Sequence, residues 1–202
     1  MMMHAPQEKP LSESCERNKA PILATLREVF CQPARILEIG SGTGQHAVHF
    51  GAALPHLTWQ TSDLPANHAG IRAWLEDAVL PNVLAPLALD VNGPWPDGAY
   101  DGIFTANTLH IVSWELAQKL IAGAGRLLRK DGRLAVYGPF NYAGNFTSDS
   151  NARFDEWLKN RDPLSGIRDF EAVVNCAEIN GLHLEADHAM PANNRLLVFV
   201  KN

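Results

Sequence analysis

Seven consecutive residues, Glu38-Ile39-Gly40-Ser41-Gly42-Thr43-Gly44, constrain this chain more than any other stretch. Three glycines alternate directly after a short apolar run, Arg35-Ile36-Leu37-Glu38-Ile39, and directly before a helical period from Gln45 to Leu54 that Pro55 closes. A residue without Cβ reaches positive φ at no steric cost and lets backbone N–H groups come close to a ligand. A strand that ends in alternating glycines and opens a helix therefore reads as a ligand-binding turn of an α/β chain. Further strand and helix periods should lie on either side.

They do. Upstream, Ile22, Leu23, Leu26, Val29 and Phe30 recur at helical spacing, with Pro21 expected in the first turn, where its missing N–H costs nothing. Downstream, Leu57 to Ser62 predicts a second strand reaching Asp63, and Ile71, Trp74, Leu75 and Ala78 share one helix face. Val83 to Leu89 predicts a third strand ended by Asp90. It is expected to be short or near an edge, because Pro86 cannot donate to a ladder. Asp101 to Thr105 predicts a fourth strand and Trp114 to Leu128 a helix, and Lys130-Asp131-Gly132 turns the chain into a fifth strand, Arg133 to Tyr137. Strands that alternate with helical periods in this way build a parallel sheet.

The last third differs. Gly138 to Ser150 is a long polar loop, a kind that tends to be functional. Asn151 is expected to cap a short helix carrying Phe154, Trp157 and Leu158, and a helix with Phe170, Val173, Val174 and Ala177 stops at Gly181. Leu182 to Asp187 and Leu196 to Lys201, joined through Met190-Pro191-Ala192-Asn193-Asn194, should pair antiparallel.

Composition narrows the class. The 202 residues suit one domain over 1–202, with a flexible tail at 1–15 and an N-terminal helix region at 16–32. At 46% hydrophobic and 19% charged, the chain is not disordered, collagen-like or coiled-coil. No apolar run approaches the ~20 residues a bilayer span needs, and Met1 to Pro10 lacks the apolar stretch of a secretory signal. The expectation is a cytoplasmic protein with no membrane partner, in which Asn145-Phe146-Thr147 is never glycosylated. Three scattered cysteines, Cys15, Cys31 and Cys176, fit reduced thiols. A net charge of -5 argues against nucleic acid, and Arg126, Arg129, Lys130 and Arg133 fit cations at a helix carboxyl end.

Two ligand classes use such a turn. The dinucleotide pattern G-x-G-x-x-G/A is met by Gly42, Gly44 and Ala47. The S-adenosylmethionine pattern, an acid two places ahead of three alternating glycines, is met more fully by Glu38, Gly40, Gly42 and Gly44. Asp63, 25 residues after Glu38, stands where a carboxylate accepts from both ribose hydroxyls, which serves either ligand. Asp90 and Asn107 stand where class I methyltransferases place an acid against the adenine amino group and line the transfer pocket. No G-x-x-x-x-G-K-[ST] phosphate loop exists.

The sequence resembles the methyltransferase-like 26 family and its bacterial relatives over nearly its whole length. The resemblance is carried by Glu16-Arg17-Asn18-Lys19, Leu37 to His46, Trp59-Gln60-Thr61-Ser62-Asp63, Asn107-Thr108-Leu109-His110-Ile111, Tyr137-Gly138-Pro139-Phe140, Ser150 to Asp155, Gly166-Ile167-Arg168-Asp169 and Met190 to Asn194. Thr61 departs from it, at a position where the resemblance leads one to expect proline. The resemblance implies a Rossmann-like class I methyltransferase fold: a seven-stranded, mostly parallel sheet with an antiparallel last strand and helices on both faces. It implies S-adenosylmethionine as cofactor and S-adenosylhomocysteine as product, held by Arg17, Asn18, Glu38, Gly40, Ser41, Gly42, Gly44, Asp63, Asp90 and Asn107. It supplies no substrate.

Methyl transfer from a sulfonium is an in-line displacement with a neutral leaving group, so alignment does most of the work and a base is needed only where the accepting atom must lose a proton. His110, three residues beyond Asn107, is the leading base candidate, with a packed wall residue as the alternative. Tyr137, Asn141 and Tyr142 could orient an acceptor through hydroxyl or amide groups, and Tyr137 could equally be core. Arg17 and Asn18 are expected to close over the methionine end, Arg17 as a carboxylate partner, unless they only cap the helix. Asn151, Asp155, Asn193 and Asn194 suggest a polar rim, with 138–168 covering the acceptor side. His46 and His49, at i and i+3, lack a carboxylate or thiol partner, so no metal is expected. The resulting expectation is a methyltransferase acting on a small-molecule acceptor. A non-catalytic S-adenosylmethionine-binding protein and an NAD-type oxidoreductase are the alternatives, the latter disfavoured because no second catalytic domain follows the sheet. No motif encodes an oligomeric state.

Overall fold

A computed structural model of the chain describes residues 9–202. Residues 1–8 of the expected tail lie outside the described residues. The chain divides into two compact units, one ending at Asp90 and one running from Val91 to Asn202.

The first unit opens with α1 (Glu13–Val29), whose cap is Ser12: its side chain accepts from the Cys15 N–H, and Glu13 and Glu16 favour the positive end of the helix dipole. Residues 13–15 of the expected tail are therefore helical, and Pro21 lies inside the helix rather than in its first turn. Next come β1 (Ala34–Ile39), α2 (Gln45–Ala53), β2 (Leu57–Asp63), a 3-10 turn over Pro65–Asn67, α3 (His68–Ala78) and β3 (Val83–Ala88). β1 and β2 run parallel with Ile39 opposite Ser62, and β2 and β3 run parallel with a register shift between Gln60 and Ser62. The apolar positions of these periods fill the core: Ile22, Ile36, Leu37, Phe50, Trp59 and Ile71 are fully buried, each contributing about 1.5–3 kcal/mol.

The second unit contains β4 (Tyr100–Ala106), α4 (Trp114–Leu127), β5 (Leu128–Gly138), β6 (Phe140–Asn141), α5 (Asp149–Arg161), β7 (Arg168–Asp169), α6 (Phe170–Ile179), β8 (Leu182–Met190) and β9 (Asn194–Lys201). β5 starts before the expected turn: Leu128 already pairs with Tyr100, and the ladder resumes with Arg133 opposite Gly102. Lys130-Asp131-Gly132 is thus an excursion within a strand, with Asp131 at φ 63°. The expected loop at 138–150 contains β6, which pairs with β7. Ser148 rather than Asn151 caps α5, accepting from the Asn151 N–H at 3.1 Å. Asn151 is instead buried one turn inside, where its Nδ2 donates to Thr147 Oγ1 at 2.9 Å and Asn193 O at 3.2 Å.

The strands form one seven-stranded sheet in the order β3-β2-β1-β4-β5-β9-β8, with β9 antiparallel to both neighbours, as expected for the last strand. β3 lies at the sheet edge, where Pro86 removes no ladder bond on its outer side. Among the described residues, no helix is long and apolar enough to cross a membrane.

Candidate active site

Beyond β1 the chain takes φ of 74°, 57° and 91° at Gly40, Gly42 and Gly44. A side chain in this left-handed region costs roughly 1–2 kcal/mol, so glycine is what lets the turn form. The end of β2 holds it. Gly40 and Ser41 N–H both donate to Ser62 O, at 3.0 and 2.9 Å, and Gly44 N–H donates to Ser41 O at 2.9 Å. Gly42 N–H donates to Asp63 Oδ2 at 2.7 Å, while Asp63 Oδ1 accepts from Leu64 N–H at 2.7 Å and Asn67 Nδ2 at 2.8 Å. A carboxylate offers about four lone-pair sites, so Asp63 keeps one to spare. Leu89 N–H donates to Asp63 O at 3.0 Å, which sets the residue before exposed Asp90 beside Asp63.

The glycines differ in what surrounds them. A Cβ on Gly42 would meet nothing within 4 Å, whereas one on Gly44 would lie 3.1 Å from Ile71 Cα. Gly42 faces open space and Gly44 lets α3 approach. Glu38, 2% exposed, braces the turn from within β1: its Oε2 accepts from Ser41 Oγ at 2.8 Å and Trp59 Nε1 at 3.2 Å. Burial pushes its carboxyl up to about 7, against these two hydrogen bonds and with the help of the Asp63 charge.

α1 is bolted to the start of α2 by Gln45, which the sequence left unassigned, and by Asn18 and His46, which the sequence had suggested for other roles. Gln45 Oε1 accepts from Ser12 N–H at 2.6 Å and Thr43 Oγ1 at 2.9 Å, and its Nε2 donates to Glu16 Oε1 at 2.7 Å. His46 Nε2 donates to Asn18 Oδ1 at 2.7 Å, and its Nδ1 faces Cys15 Sγ at 3.9 Å. Burial holds the His46 imidazole neutral, down to about 4, and pushes the Cys15 thiol up. Asn18 is thus buried and committed to His46, whereas Arg17 is exposed and pairs with Glu13 at 3.8 Å. The signal in the sequence was the polar pair Gln45-His46 directly after the last glycine. Among the described residues, no group of three or more His, Cys, Asp or Glu converges to hold a metal.

In the second unit, Asn107 takes a left-handed φ of 56°, which asparagine tolerates better than most residues, and its N–H donates to Tyr137 O at 2.9 Å. Tyr137, the last residue but one of β5, is buried opposite Leu196 of β9. His110 is 4% exposed, packs edge-to-face on Phe154 at 5.4 Å, and lies 3.4 Å from where a Gly138 Cβ would stand. Among the described residues nothing hydrogen-bonds its imidazole. Burial, helped by the Arg168 charge, pulls its pKa down to about 4.

Arg168 staples the segment that carries His110. Its Nε donates to Leu109 O at 2.9 Å, and its Nη2 donates to Val112 O and Leu164 O. Ser165 Oγ donates to Ile111 O at 2.5 Å and Gly166 N–H to His110 O at 2.9 Å. Asp155 is drawn into the same brace, accepting from Ile167 N–H at 2.7 Å and pairing with Lys159 at 2.6 Å. Asn141 is buried, and its Oδ1 has no partner among the described residues, an omission worth about 1–3 kcal/mol.

A pocket of about 360 Å³ is lined by Tyr142, Thr147, Met190, Asn193, Asn194 and Arg195, among others. It brings together Tyr142 and two of the four expected rim residues, and Asn151 backs it through Asn193 O. Asp187 orders its wall, accepting from Tyr142 OH at 2.9 Å and Arg195 Nε at 2.7 Å.

A family model described as "Protein of unknown function (DUF938)" matches residues 9–201. Solved structures of similar fold include an O-methyltransferase family protein from Burkholderia thailandensis, with TM-score 0.81 and 18% identity over 91% of this chain and 56% of that one. An O-methyltransferase family 2 protein from Planctomyces limnophilus, solved in complex with apigenin, gives TM-score 0.81 and 16% identity over 94% and 58%. CalO1, a methyltransferase in calicheamicin biosynthesis in its SAH-bound form, gives TM-score 0.74 and 17% identity over 91% and 54%. The likeness shows the class I methyltransferase fold, and this chain spans about half the length of the proteins it matches.

Proposed function

The chain belongs to the DUF938 family, and on that premise we propose that it transfers a methyl group from S-adenosylmethionine to a small-molecule acceptor. The observation that carries the reading is how the glycine turn spends its hydrogen bonds. Four of the five N–H groups from Gly40 to Gly44, all but that of Thr43, are used within the turn or on β2. A dinucleotide's pyrophosphate needs such groups free. What this turn offers instead is close approach over Gly42, where a Cβ would find open space, beside a carboxylate with one acceptor site unspent. That donor and acceptor set fits a nucleoside carrying ribose hydroxyls and no phosphate.

In this reading Asp63 accepts from the ribose, with Asp90 following β3 as the partner for the adenine amino group. When bound, S-adenosylmethionine supplies an electrophilic methyl on a sulfonium that departs as a neutral thioether. Asn107 and Asn141 then orient the acceptor, Asn141 through its unpaired Oδ1. A base works best with a pKa near the operating pH, so a histidine held at about 4 is poorly matched to removing a proton. His110 therefore serves as a neutral hydrogen-bonding wall that positions the acceptor.

Calorimetric titration of the full chain tests the reading. S-adenosylhomocysteine should bind and NADH should give no heat; the reverse result overturns it. Labelled S-adenosylmethionine incubated with a metabolite extract should then yield a labelled product. Binding without product would favour a non-catalytic role.

A further inference from the structure

The ladder between β5 and β9 sets Arg195 opposite Gly138, the residue against which His110 packs. Arg195 also lines the pocket of about 360 Å³, and its guanidinium is only half spent. Nε donates to Asp187 Oδ1 at 2.7 Å and Nη2 to Asp187 O at 3.1 Å, which uses the side-on edge of the fork. The guanidinium also interacts with the Tyr142 hydroxyl, and among the described residues no hydrogen bond is made from Nη1, which leaves the end-on edge of the fork open. The group is also held in place: Tyr142 lies 5.7 Å below it, stacked on Phe170 at 4.8 Å and tied by its hydroxyl to Asp187.

The rest of the lining agrees in chemistry. It contains no Asp or Glu. Asn193 and Asn194 turn their Nδ2 groups onto Ser150 Oγ and Pro191 O, which leaves their carbonyl oxygens for hydroxyl or amine hydrogens. Ala192 and Asn193 both sit at φ 58° without being glycine, a strain that the Asn151 bond to Asn193 O sustains. A volume of about 360 Å³ lies at the small end of ligand pockets.

We infer that this pocket binds the carboxylate of a small organic acid on the end-on edge of Arg195, and that this acid is the methyl acceptor. The second clause rests on the methyltransferase reading; the first does not. The fork is planar and matches both oxygens of a carboxylate. A carboxylate held there is not the nucleophile. A hydroxyl or amine elsewhere on the acid forms the new bond to the methyl carbon, the S–C electron pair leaves with the sulfur, and the nucleophile's proton passes to water.

The test uses 4-hydroxybenzoate and its methyl ester, which keeps the ring and hydroxyl and loses the charge, titrated into the isotope-labelled full chain and followed by NMR. The acid should shift the Arg195 Nε–H and the Asn193 and Asn194 amides in the millimolar range or below, and the ester should bind about tenfold more weakly or worse. Arg195→Lys keeps the charge and loses the fork, and should weaken the acid by about tenfold. The acid and ester pair needs no variant, so a misfolded Arg195→Lys does not spare the idea. Equal affinity for acid and ester, no shifts at millimolar acid, or shifts confined to another part of the chain would overturn it. S-adenosylhomocysteine titrated into the same sample separates the two readings. If it binds and the acid does not, the pocket assignment fails alone. If the acid binds and it does not, the pocket stands and the methyltransferase reading fails.

Discussion

One methyl group placed at Gly42 separates the two tasks that glycine performs in the turn. The residue sits at φ 57°. Alanine there costs roughly 1–2 kcal/mol of left-handed strain, offset by about 0.4–1 kcal/mol because the unfolded chain also loses freedom. The new Cβ would meet nothing within 4 Å, so no packing cost is added. Gly42→Ala should lose about 1 kcal/mol, or about 2–4 °C in Tm for a chain of this length. Gly44→Ala differs. Its φ is 91°, and its Cβ would lie 3.1 Å from Ile71 Cα and 3.3 Å from Ile71 O. The α3 backbone would have to move, which adds about 1–3 kcal/mol and brings the loss to about 2–4 kcal/mol. Binding should rank the other way for the milder variant: in the proposed reading the nucleoside lies over Gly42, where the added methyl would intrude, so S-adenosylhomocysteine affinity should fall about 10- to 100-fold in a well-folded protein. Urea melts measure the first quantity and calorimetry the second. Unchanged affinity in Gly42→Ala, or equal stability of the two variants, would refute the division of labour between these glycines.

Stability should also depend on pH in a defined sense. Folded His46 and His110 titrate near 4 against 6.5 when unfolded, so the unfolded chain binds the extra protons and stability is lost as pH falls from about 6.5 towards 4. Glu38 opposes them: its folded value of about 7 exceeds the unfolded 4.5, so its contribution is lost as pH rises through that window. His46 and His110 against Glu38 leave one net proton between pH 4.5 and 6.5, and His49, also lowered by burial, adds in the same direction, so the unfolding free energy should rise by at least about 1.4 kcal/mol per pH unit. Glu38→Gln keeps an oxygen for Ser41 and Trp59 while removing the opposing titration, so the slope in urea melts should steepen by about 1.4 kcal/mol per pH unit; a flat or falling profile in the parent contradicts the assignment. Arg168→Met strands the carbonyls of Leu109, Val112 and Leu164, and should cost about 2–4 kcal/mol. Hydrogen exchange across 108–113 should accelerate at least about tenfold, and unchanged protection there would show that Arg168 does not hold the His110 segment.

What the sequence determined by itself was whatever depends on neighbouring atoms. Alternating glycines before Gln45 require a left-handed turn, apolar periods separate strands from helices, and Pro86 belongs on an edge strand because proline brings no N–H to a ladder. That Asp63 ends β2 and that Asp90 follows β3 was legible for the same reason, since the end of an apolar run is marked by the polar residue next to it in the chain. Partner choice and dielectric surroundings were settled only by the tertiary structure. Asn18 meets His46 across 28 positions and Arg168 reaches Leu109 across 59, and neither periodicity nor propensity carries information over such distances. The helix that Ser12 caps and the strand that begins at Leu128 extend past their expected limits because contacts elsewhere complete them: Gln45 accepts from the Ser12 N–H, and Tyr100 pairs with Leu128. His110 is the plainest case. Its position was readable from the chain, but its protonation state depends on water being excluded by residues distant in sequence, and only the folded packing decides that.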